Sequence, residues 1–383
     1  MREINRARNT RKQTNYKEVI NQEYINFVSE AYNITSKAAL AAFDALTEQP
    51  KMTVICPIYN GEQHLYRNLY MLQKQTLKQI QIIYIDDYSS DNSRTILKEL
   101  ADLDKRITLI FNDHNMGIFA SKIKAFGYIK ANYTSLFDMD DVYVRADALE
   151  KMYNDTLKYN SDYMDYYSLK GTNGKVQDIQ NYYPIYLNYS LNTYENQILG
   201  SHIIFWLRVI SQKVTKKMIE RLTEEERQYF MITGEDPSLL AVLKNVSNGA
   251  RYIDEPMIYR HYHSESSSAI STKRFNNDKY RTFAIKVAVG NVNCALVTYK
   301  YSLDYREAKD MTFGELWYIL GRPYMDEIKI INEFNSRYKH YIFCLQFTNC
   351  KYVTGYLKRQ INIFCNVVFN YSLRHFEIID YNN

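Results

Sequence analysis

The sequence lacks the signatures of several common protein classes. Its five cysteines include no closely spaced C-x-x-C pair, which argues against a zinc knuckle or a disulfide framework and predicts a reducing compartment. No stretch approaches about eighteen uninterrupted apolar residues, so we expect no membrane-spanning helix. Neither G-x-G-x-x-G nor G-x-x-x-x-G-K-[ST] occurs, which excludes the dinucleotide fingerprint and the P-loop.

What is present is typical of a globular protein. Of the 383 residues, 46% are hydrophobic and 24% are charged, enough for one large or two ordinary domains. The formal net charge of +5 suits phosphorylated ligands or an anionic membrane surface and does not call for nucleic acid. Residues 1–12 have no apolar run behind them, so we interpret them as a disordered tail and not as a secretory signal. We therefore expect a cytoplasmic protein.

Apolar runs alternate with helical patterns through the first 140 residues. The predicted strands cover residues 52–57, 80–85, 107–110 and 136–137, and the predicted helices cover residues 16–46, 62–75, 93–103 and 118–131. Such alternation predicts an α/β fold with parallel strands and right-handed crossovers. Ligands of open parallel sheets bind beyond the carboxyl ends of the strands, so polar residues at those ends are candidates for a site.

The fourth apolar run ends in a cluster of acids. Asp138, Asp140 and Asp141 place three carboxylates within four positions, where they repel one another unless a positive charge neutralises them. Oxygen ligands of this kind suit Mg²⁺ or Mn²⁺, and such a cation can carry a phosphate. The alternative interpretation is a solvated turn with no ligand.

Four motifs together resemble the nucleotide-sugar-binding half of family 2 glycosyltransferases. In chain order they are Pro57-Ile58-Tyr59-Asn60, Asp86-Asp87-Tyr88-Ser89, Asn115-Met116-Gly117 and Asp138-Met139-Asp140-Asp141. The last corresponds to that family's DXD motif. The resemblance implies the GT-A fold, which is Rossmann-like with a mostly parallel sheet flanked by helices. It covers residues 52 to about 160.

The same resemblance implies roles for individual residues. The nucleotide-sugar contacts would come from Pro57, Tyr59, Asp86, Asp87, Lys122, Asp138 and Arg260. Pro57, Tyr59 and the Asp86-Asp87 pair would line the base and ribose pocket, and Asp138 would approach the ribose or the sugar. Asp140, with help from Asp141, would bind Mn²⁺ or Mg²⁺ bridging the diphosphate. The family often has Ala-Arg-Asn where this chain has Ser121-Lys122-Ile123, so Lys122 supplies the charge at that place.

Two later motifs extend the resemblance. Glu235-Asp236 precedes a predicted helix at residues 238–244, and the family's second acid there is a general base, which makes Asp236 the catalytic candidate. A helix cap is the alternative interpretation of the pair. The stretch 259–268 resembles a Tyr-Arg-x-His-x-x-Ser element. It would place Arg260 on the phosphates and His263 on the metal, with His261 as the alternate ligand.

We expect three regions along the chain. Residues 1–50 form a tail and a helical preface, and residues 51–275 form the GT-A domain, with a nucleotide-sugar half (51–160) and an acceptor half (161–275). In the acceptor half we expect antiparallel strands around residues 163–169 and a short strand and turn over residues 250–256. Residues 276–383 form a mainly α-helical C-terminal region, with helices predicted over residues 281–303 and 313–347. No acid occurs between Glu333 and Glu377 in that region, so its basic helices can face an anionic membrane; a self-packed bundle or a homo-oligomer interface is the alternative.

The expected function is a metal-dependent, inverting transfer of a sugar from a nucleotide-sugar. The resemblance implies a UDP-sugar donor, a hexosyl or N-acetylhexosaminyl group, and a glycan, lipid-linked or protein acceptor in cell-surface glycan biosynthesis. Two rivals stay open, a nucleotidyltransferase and a non-catalytic GT-A-like binding or scaffold protein. The nucleotidyltransferase would usually carry a Gly-rich basic loop after the first strand, which this chain lacks.

Overall fold

A computed structural model describes residues 21–180, 189–190, 205–232 and 235–262, together with residues 293, 294, 297 and 301. These residues fall into two compact units. The first holds residues 21–115, 121–180, 189–190, 205–221 and 246–262. The second holds residues 116–120, 222–232, 235–245 and the four separate residues. The domain boundaries expected from the sequence stay a prediction.

The first unit is built on one ten-stranded sheet. Its strands are β1 (Met52–Ile58), β2 (Ile80–Asp86), β3 (Ile107–Phe111), β4 (Tyr133–Leu136), β5 (Val142–Tyr143), β6 (Tyr163–Thr172), β7 (Lys175–Gln180), β8 (Tyr189–Ser190), β9 (Arg208–Ser211) and β10 (Gly249–His261). The order across the sheet is β3-β2-β1-β4-β9-β6-β10-β5, with β7 beside β6 and β8 beside β10. Strands β1 to β4 are parallel to one another, whereas β9 pairs antiparallel with both neighbours.

Helices connect and cover the strands. They are α1 (Gln22–Tyr32), α2 (Leu65–Lys74), α3 (Ser93–Leu103), α4 (Ile118–Phe126), α5 (Ala148–Tyr159), α6 (Gln212–Arg221) and α7 (Glu235–Val246). Every residue of β1 and β2 is buried, as expected for parallel strands that are covered on both faces. The predicted α/β class is confirmed, and the first four strands lie within a residue or three of their predicted positions.

Pro57 explains where β4 stops. The last backbone hydrogen bond between these strands runs from the N–H of Phe137 to the carbonyl of Ile55, at 2.9 Å. Because proline has no N–H, β1 offers no donor to continue the ladder beyond Phe137. On its other side β1 continues beside β2, where Pro57 pairs with Ile85. The chain after Phe137 therefore leaves the sheet at the point where the acidic residues begin.

Two predicted helices are too long. The helix predicted over residues 16–46 ends at Tyr32, and residues 40–46 are not helical. Gln73 explains part of this, because its side chain donates to the carbonyl of Ala41 and accepts from the Ala41 N–H, which holds that segment in an extended path. The backbone of Phe43 then bonds to Leu103 and Lys105. The helix predicted over residues 118–131 ends at Phe126, next to Gly127.

The second half of the sheet was only partly predicted. Antiparallel strands around residues 163–169 are confirmed, since β6 pairs antiparallel with β7 and β9. The short strand and turn predicted over residues 250–256 is wrong. In the structure β10 runs for 13 residues beside β6 and passes Pro256 with shifts of register on either side of that residue. A β-bulge is a common place for proline in a strand.

The second unit is small as far as it is described. A 3₁₀ turn, Glu226–Gln228, is closed by Thr223 and Glu226, each of which accepts from the backbone N–H of the other.

The long predicted helices over residues 313–347 lie outside the described residues, as does the basic stretch 333–377. Within the part of the chain that the structure describes, no helix combines the length and the apolarity that crossing a bilayer requires.

A buried ion pair joins β6 to β9. Asp165 and Arg208 face each other in the antiparallel register, both side chains are fully buried, and their Oδ1 and Nε atoms lie 2.6 Å apart. Such pairs contribute little net stability, but a single partner left in an apolar interior is costly. The pair therefore mainly fixes the register between β6 and β9, since a slip of one residue would separate the two charges.

We predict that Asp165→Ala lowers the free energy of unfolding by about 3–5 kcal/mol, because it leaves the Arg208 guanidinium buried without this carboxylate. The double replacement Asp165→Leu with Arg208→Met should be less harmful than the single change, since it buries no charge at this place. Urea denaturation followed by circular dichroism measures both. A double variant that is less stable than Asp165→Ala would contradict this account.

Candidate functional site

The carboxyl ends of three parallel strands meet at one edge of the sheet. Ile58, the last residue of β1, pairs with Asp86, the last residue of β2. The N–H of Asp87 donates to the Ile58 carbonyl at 2.8 Å, and β4 pairs with the other side of β1. The turn formed by residues 138–141, here called the acidic turn, follows β4 after the single residue Phe137. The structure thus brings the first, second and fourth motifs to one edge, as the sequence predicts.

Asp86 and Asp87 are held by buried polar contacts. Asp86 is fully buried, and its Oδ2 accepts from Arg94 Nε and, at 3.2 Å, from the Ser89 N–H. Asp87 is almost fully buried, and its Oδ1 accepts from Asn112 Nδ2 at 3.0 Å. Among the described residues, Asp86 Oδ1 has no hydrogen-bond donor. One buried carboxylate oxygen therefore remains available as an acceptor.

Asn112 links the neighbouring groups. Its amide donates to Asp87 and to Ser121 Oγ, its Oδ1 accepts from Lys124 Nζ at 2.8 Å, and its carbonyl accepts from Arg94. Sequence reasoning missed Asn112, Arg94 and Lys124 as site residues. The available signal was the position of Asn112 directly after β3, because a polar residue there occupies the same sheet edge as the acids.

Two loops at this edge are tied together. The N–H of Asn60 donates to Ser89 Oγ at 2.9 Å, and Asn60 Oδ1 accepts from the N–H of Ser90 at 2.8 Å. Each loop carries an exposed tyrosine, Tyr59 and Tyr88, of which 47% and 51% of the surface is accessible. Tyr88 has φ = +64°, an unfavourable conformation for a bulky residue, and the Arg94 guanidinium lies 5.1 Å from its ring centroid.

The acidic turn is held in place by hydrogen bonds from α2. Asn68 Nδ2 donates to the carbonyls of Asp138 and Met139 at 3.4 and 3.5 Å, and Tyr84 donates its hydroxyl proton to Asn68 Oδ1. Gly61 packs against Met139, so that a Cβ at this position would overlap the methionine sulfur. The side chains of Asp138 and Asp140 stay partly exposed, whereas Asp141 is buried.

Charge accumulates on this turn. Burial raises the pKa of Asp141 well above its usual value, and the carboxylates of Asp140 and Asp138 raise it further. Arg260 on β10 and the backbone N–H of His261 act in the opposite direction. The His261 N–H donates to Asp141 Oδ1 at 3.0 Å. Burial also raises the pKa of the Cys56 thiol, and the charge of Asp138 adds to the effect.

The other predicted residues are placed as follows. Lys122 lies in α4 and is fully buried. The His261 ring is buried, and its Nε2 lies 3.3 Å from Asn173 Oδ1. Asp236 belongs to the second unit, where it is partly exposed in the first turn of α7. His263 lies outside the described residues.

The family model described as glycosyl transferase family 2 matches residues 53–219, the stretch that runs from the second residue of β1 through β9 and includes the acidic turn. Residues 53–219 are therefore similar to a family 2 glycosyltransferase domain. The resemblance stated from the four motifs is thereby confirmed. The model extends past residue 160, where the motif-based resemblance was placed, and stops before α7 and β10.

Curated relatives of the family 2 domain include two bacterial glycosyltransferases. The glycosyltransferase GlyA of Streptococcus pneumoniae is 30% identical over 233 residues, which are 59% of this chain and 32% of that protein. Escherichia coli WfgD, a UDP-Glc:alpha-D-GlcNAc-diphosphoundecaprenol beta-1,3-glucosyltransferase, is 31% identical over 113 residues, or 30% of this chain and 44% of that protein. The chain thus spans less than half the length of either relative.

Solved structures that resemble this chain include S. aureus TarS in complex with UDP-GlcNAc. It is 15% identical, has a TM-score of 0.46, and the match covers 75% of this chain and 82% of the TarS chain. The TarS complex with UDP has a TM-score of 0.45 at the same identity.

The family 2 domain offers oxygen donors for the expected Mg²⁺ or Mn²⁺. Within the described residues, no three His, Cys, Asp or Glu side chains are grouped so that they could hold a metal by themselves. Mg²⁺ in nucleotide enzymes is usually held by one or two carboxylates, with substrate phosphates and water completing the shell. The partly exposed Asp138 and Asp140 supply oxygens of this kind, so the residues present fit the cation.

We predict that Asn112→Ala lowers the free energy of unfolding by about 1–3 kcal/mol, because Asp87 and Ser121 each lose a buried hydrogen bond and Lys124 loses a half-buried one. The matched control is Asn92→Ala, since the Asn92 side chain is exposed and makes no capping bond to α3. It should change the free energy by less than about 0.5 kcal/mol. Urea denaturation compares the two, and equal effects would argue against the role of Asn112.

Proposed function

We propose that this protein is a metal-dependent, inverting glycosyltransferase that moves a sugar from a nucleotide-sugar to an acceptor hydroxyl. The observation that carries the proposal is the meeting of Asp86, Asp87 and the acidic turn at one sheet edge inside a family 2 domain. In a parallel sheet this edge is the usual place for a ligand.

The nucleoside would occupy the pocket formed by the ends of β1 and β2. The buried Oδ1 of Asp86, which has no donor among the described residues, can accept the imide N–H of uracil. Tyr59 and Tyr88, exposed on the two joined loops, offer aromatic faces for the base. A UDP-sugar is the favoured donor, in agreement with the UDP-Glc donor that the name of the WfgD relative gives.

The diphosphate would lie against the acidic turn. Asp140 would hold Mn²⁺ or Mg²⁺, with Asp138 directed to the ribose or sugar. Asp141 would assist Asp140 while its Oδ1 stays bound to the His261 N–H. When bound, the cation neutralises the charge that develops on the departing nucleoside diphosphate. Arg260, whose charge reaches Asp141, is placed to meet a phosphate, and His263 is the further ligand expected from the sequence.

Asp236 would act as the general base. In the proposed reaction its carboxylate removes the proton from the acceptor hydroxyl while that oxygen attacks the anomeric carbon. The bond from the anomeric carbon to the diphosphate oxygen breaks on the opposite face, and its electron pair leaves with UDP. This displacement inverts the anomeric configuration. The products are the extended acceptor, UDP and a proton held by Asp236.

The transferred group would be a hexosyl or N-acetylhexosaminyl unit and the acceptor a glycan, a lipid-linked glycan or a protein in cell-surface glycan synthesis. The reaction would take place in the cytoplasm, next to the membrane. The basic stretch of residues 333–377 would supply a peripheral membrane contact or a homo-oligomer interface.

We predict that Asp140→Ala lowers turnover at least 100-fold while the protein stays folded, because the cation loses its main protein ligand. The measurement is UDP release from a panel of UDP-sugars with Mn²⁺ and then with EDTA. The matched control is Asp113→Ala, which removes a fully exposed carboxylate from the loop after β3. Retained activity in Asp140→Ala would remove Asp140 from the metal role. Absence of metal-dependent turnover with any nucleotide-sugar in the wild-type protein would favour the binding or scaffold protein.

We predict that Asp236→Asn lowers kcat by about 10²–10⁴-fold and leaves the affinity for UDP unchanged, because asparagine cannot take up the acceptor proton. If Asp236 only caps α7, the change should instead cost about 0.3–1 kcal/mol of stability and leave kcat nearly intact. Steady-state kinetics, UDP titration calorimetry and thermal unfolding of the same variant distinguish the two roles.

A further inference from the structure

Helix α1 ends against the residues that support the acidic turn. This helix precedes the segment matched by the family model, which begins at residue 53. Its last residue, Tyr32, has the Arg67 guanidinium 4.2 Å from its ring centroid. The rings of His261 and Tyr259 meet it edge-on, with centroids 5.1 and 5.8 Å away. A residue from outside the family segment thus packs against β10 at the point where β10 meets the acidic turn.

The connection from Tyr32 to the acidic turn runs through His261. The His261 N–H donates to Asp141 Oδ1 at 3.0 Å, while its ring lies between Tyr32 and Asn173. The position of the His261 backbone therefore depends on how its side chain is packed. Because Asp141 is the last residue of the acidic turn, a shift of His261 would release the hydrogen bond that holds the turn in place.

The β6–β7 hairpin turn closes the same cluster. Gly174 in this turn has φ = +75°, and a Cβ there would lie 2.9 Å from Cγ of Tyr32. Ser29 of α1 donates its hydroxyl proton to the Gly174 carbonyl at 3.3 Å. Helix α1 thus holds the turn that carries Asn173, and Asn173 in turn contacts His261. The Tyr32 ring has no space to move toward the hairpin.

Electrostatics point to the same proximity. Burial raises the pKa of Tyr32, the charges of Asp141 and Asp140 raise it further, and Arg67 acts in the opposite direction. The phenol therefore lies within the field of the acidic turn. Arg67 is itself buried, and its Nη2 donates to His64 Nδ1 at 2.8 Å.

Packing alone does not account for this cluster. Val28 and Ala31 are fully buried and already anchor α1. By contrast, the Tyr32 hydroxyl and Arg67 Nε are buried without a hydrogen-bond partner among the described residues. An apolar side chain in either place would avoid the desolvation cost of these polar groups. A buried phenol hydroxyl and a buried arginine kept at such a cost favour a role other than anchoring the helix.

We propose that Tyr32 is a positioning residue for the acidic turn. Its ring holds His261 and the Asn173–Gly174 turn, so that the His261 N–H fixes Asp141 and thereby the direction of Asp138 and Asp140. This inference deepens the proposed function, because it makes α1 a required part of the diphosphate and metal site.

The test is hydrogen exchange of backbone amides in the full-length protein. In Tyr32→Ala, the His261 amide should exchange at least tenfold faster than in Val28→Ala at equal global stability, because only the first change releases His261. Val28→Ala is the matched control, since it loosens the same helix without touching His261. Tyr32→Phe keeps the ring and should exchange like the wild type. Equal exchange in Tyr32→Ala and Val28→Ala would overturn the proposal.

A second variant covers the case in which Tyr32→Ala does not fold. Tyr32→Leu keeps an apolar side chain at the end of α1 but removes the ring that meets His261 edge-on, so it should also accelerate exchange of the His261 amide at least tenfold relative to Val28→Ala. Unchanged exchange in Tyr32→Leu would overturn the proposal.

A binding measurement separates this proposal from the proposed function. Titration of UDP at increasing Mn²⁺ should show that Tyr32→Ala needs at least fivefold more Mn²⁺ than Val28→Ala for half-maximal binding. Equal Mn²⁺ requirements would overturn the positioning role. If the wild-type protein binds no UDP with Mn²⁺, the proposed function fails, and the exchange result alone then decides whether Tyr32 positions the turn.

Discussion

The parallel pairing of β1 with β2 on one side and β4 on the other is the constraint on which the candidate site depends. This pairing aligns three strand ends, so residues separated by up to eighty positions in the chain arrive at one edge. Pro57 then ends the ladder with β4 and releases the acidic turn. Without this register the carboxylates of Asp86, Asp87 and the turn would be unrelated groups on separate loops.

The second constraint is electrostatic. Three carboxylates in one turn repel one another, which disfavours the ionisation of all three at once. Groups from several helices and strands stabilise the turn against this repulsion. Asn68 holds two carbonyls of the turn, the His261 N–H binds Asp141, and Arg260 supplies positive charge. The turn is therefore organised by backbone and amide contacts while Asp138 and Asp140 keep part of their surface accessible. Such an arrangement suits an incoming cation better than a turn that is already neutralised by direct ion pairs.

Much of the first half could be predicted from the sequence, because buried parallel strands appear as continuous apolar runs and the acids follow them directly. The contacts of Asn112 and Arg94 could not be predicted, since the sequence around a single polar residue does not indicate which groups it will bind. The end of α1 was also missed, because Gln73, more than thirty positions later, bonds to the backbone of Ala41. Tyr32 and His261 meet only after α1 and β10 are placed by the tertiary fold, so no local pattern could pair them.

The two shifts of register beside Pro256 have a consequence for evolution of the chain. Alternate residues of a strand face opposite sides, and Tyr259 and His261 share the side that faces α1. Losing or gaining one residue between positions 253 and 257 would exchange the two sides and turn Arg260 toward α1. Among relatives of this chain, insertions and deletions should therefore be scarce between positions 253 and 257 of β10. They should accumulate instead at the hairpin tips.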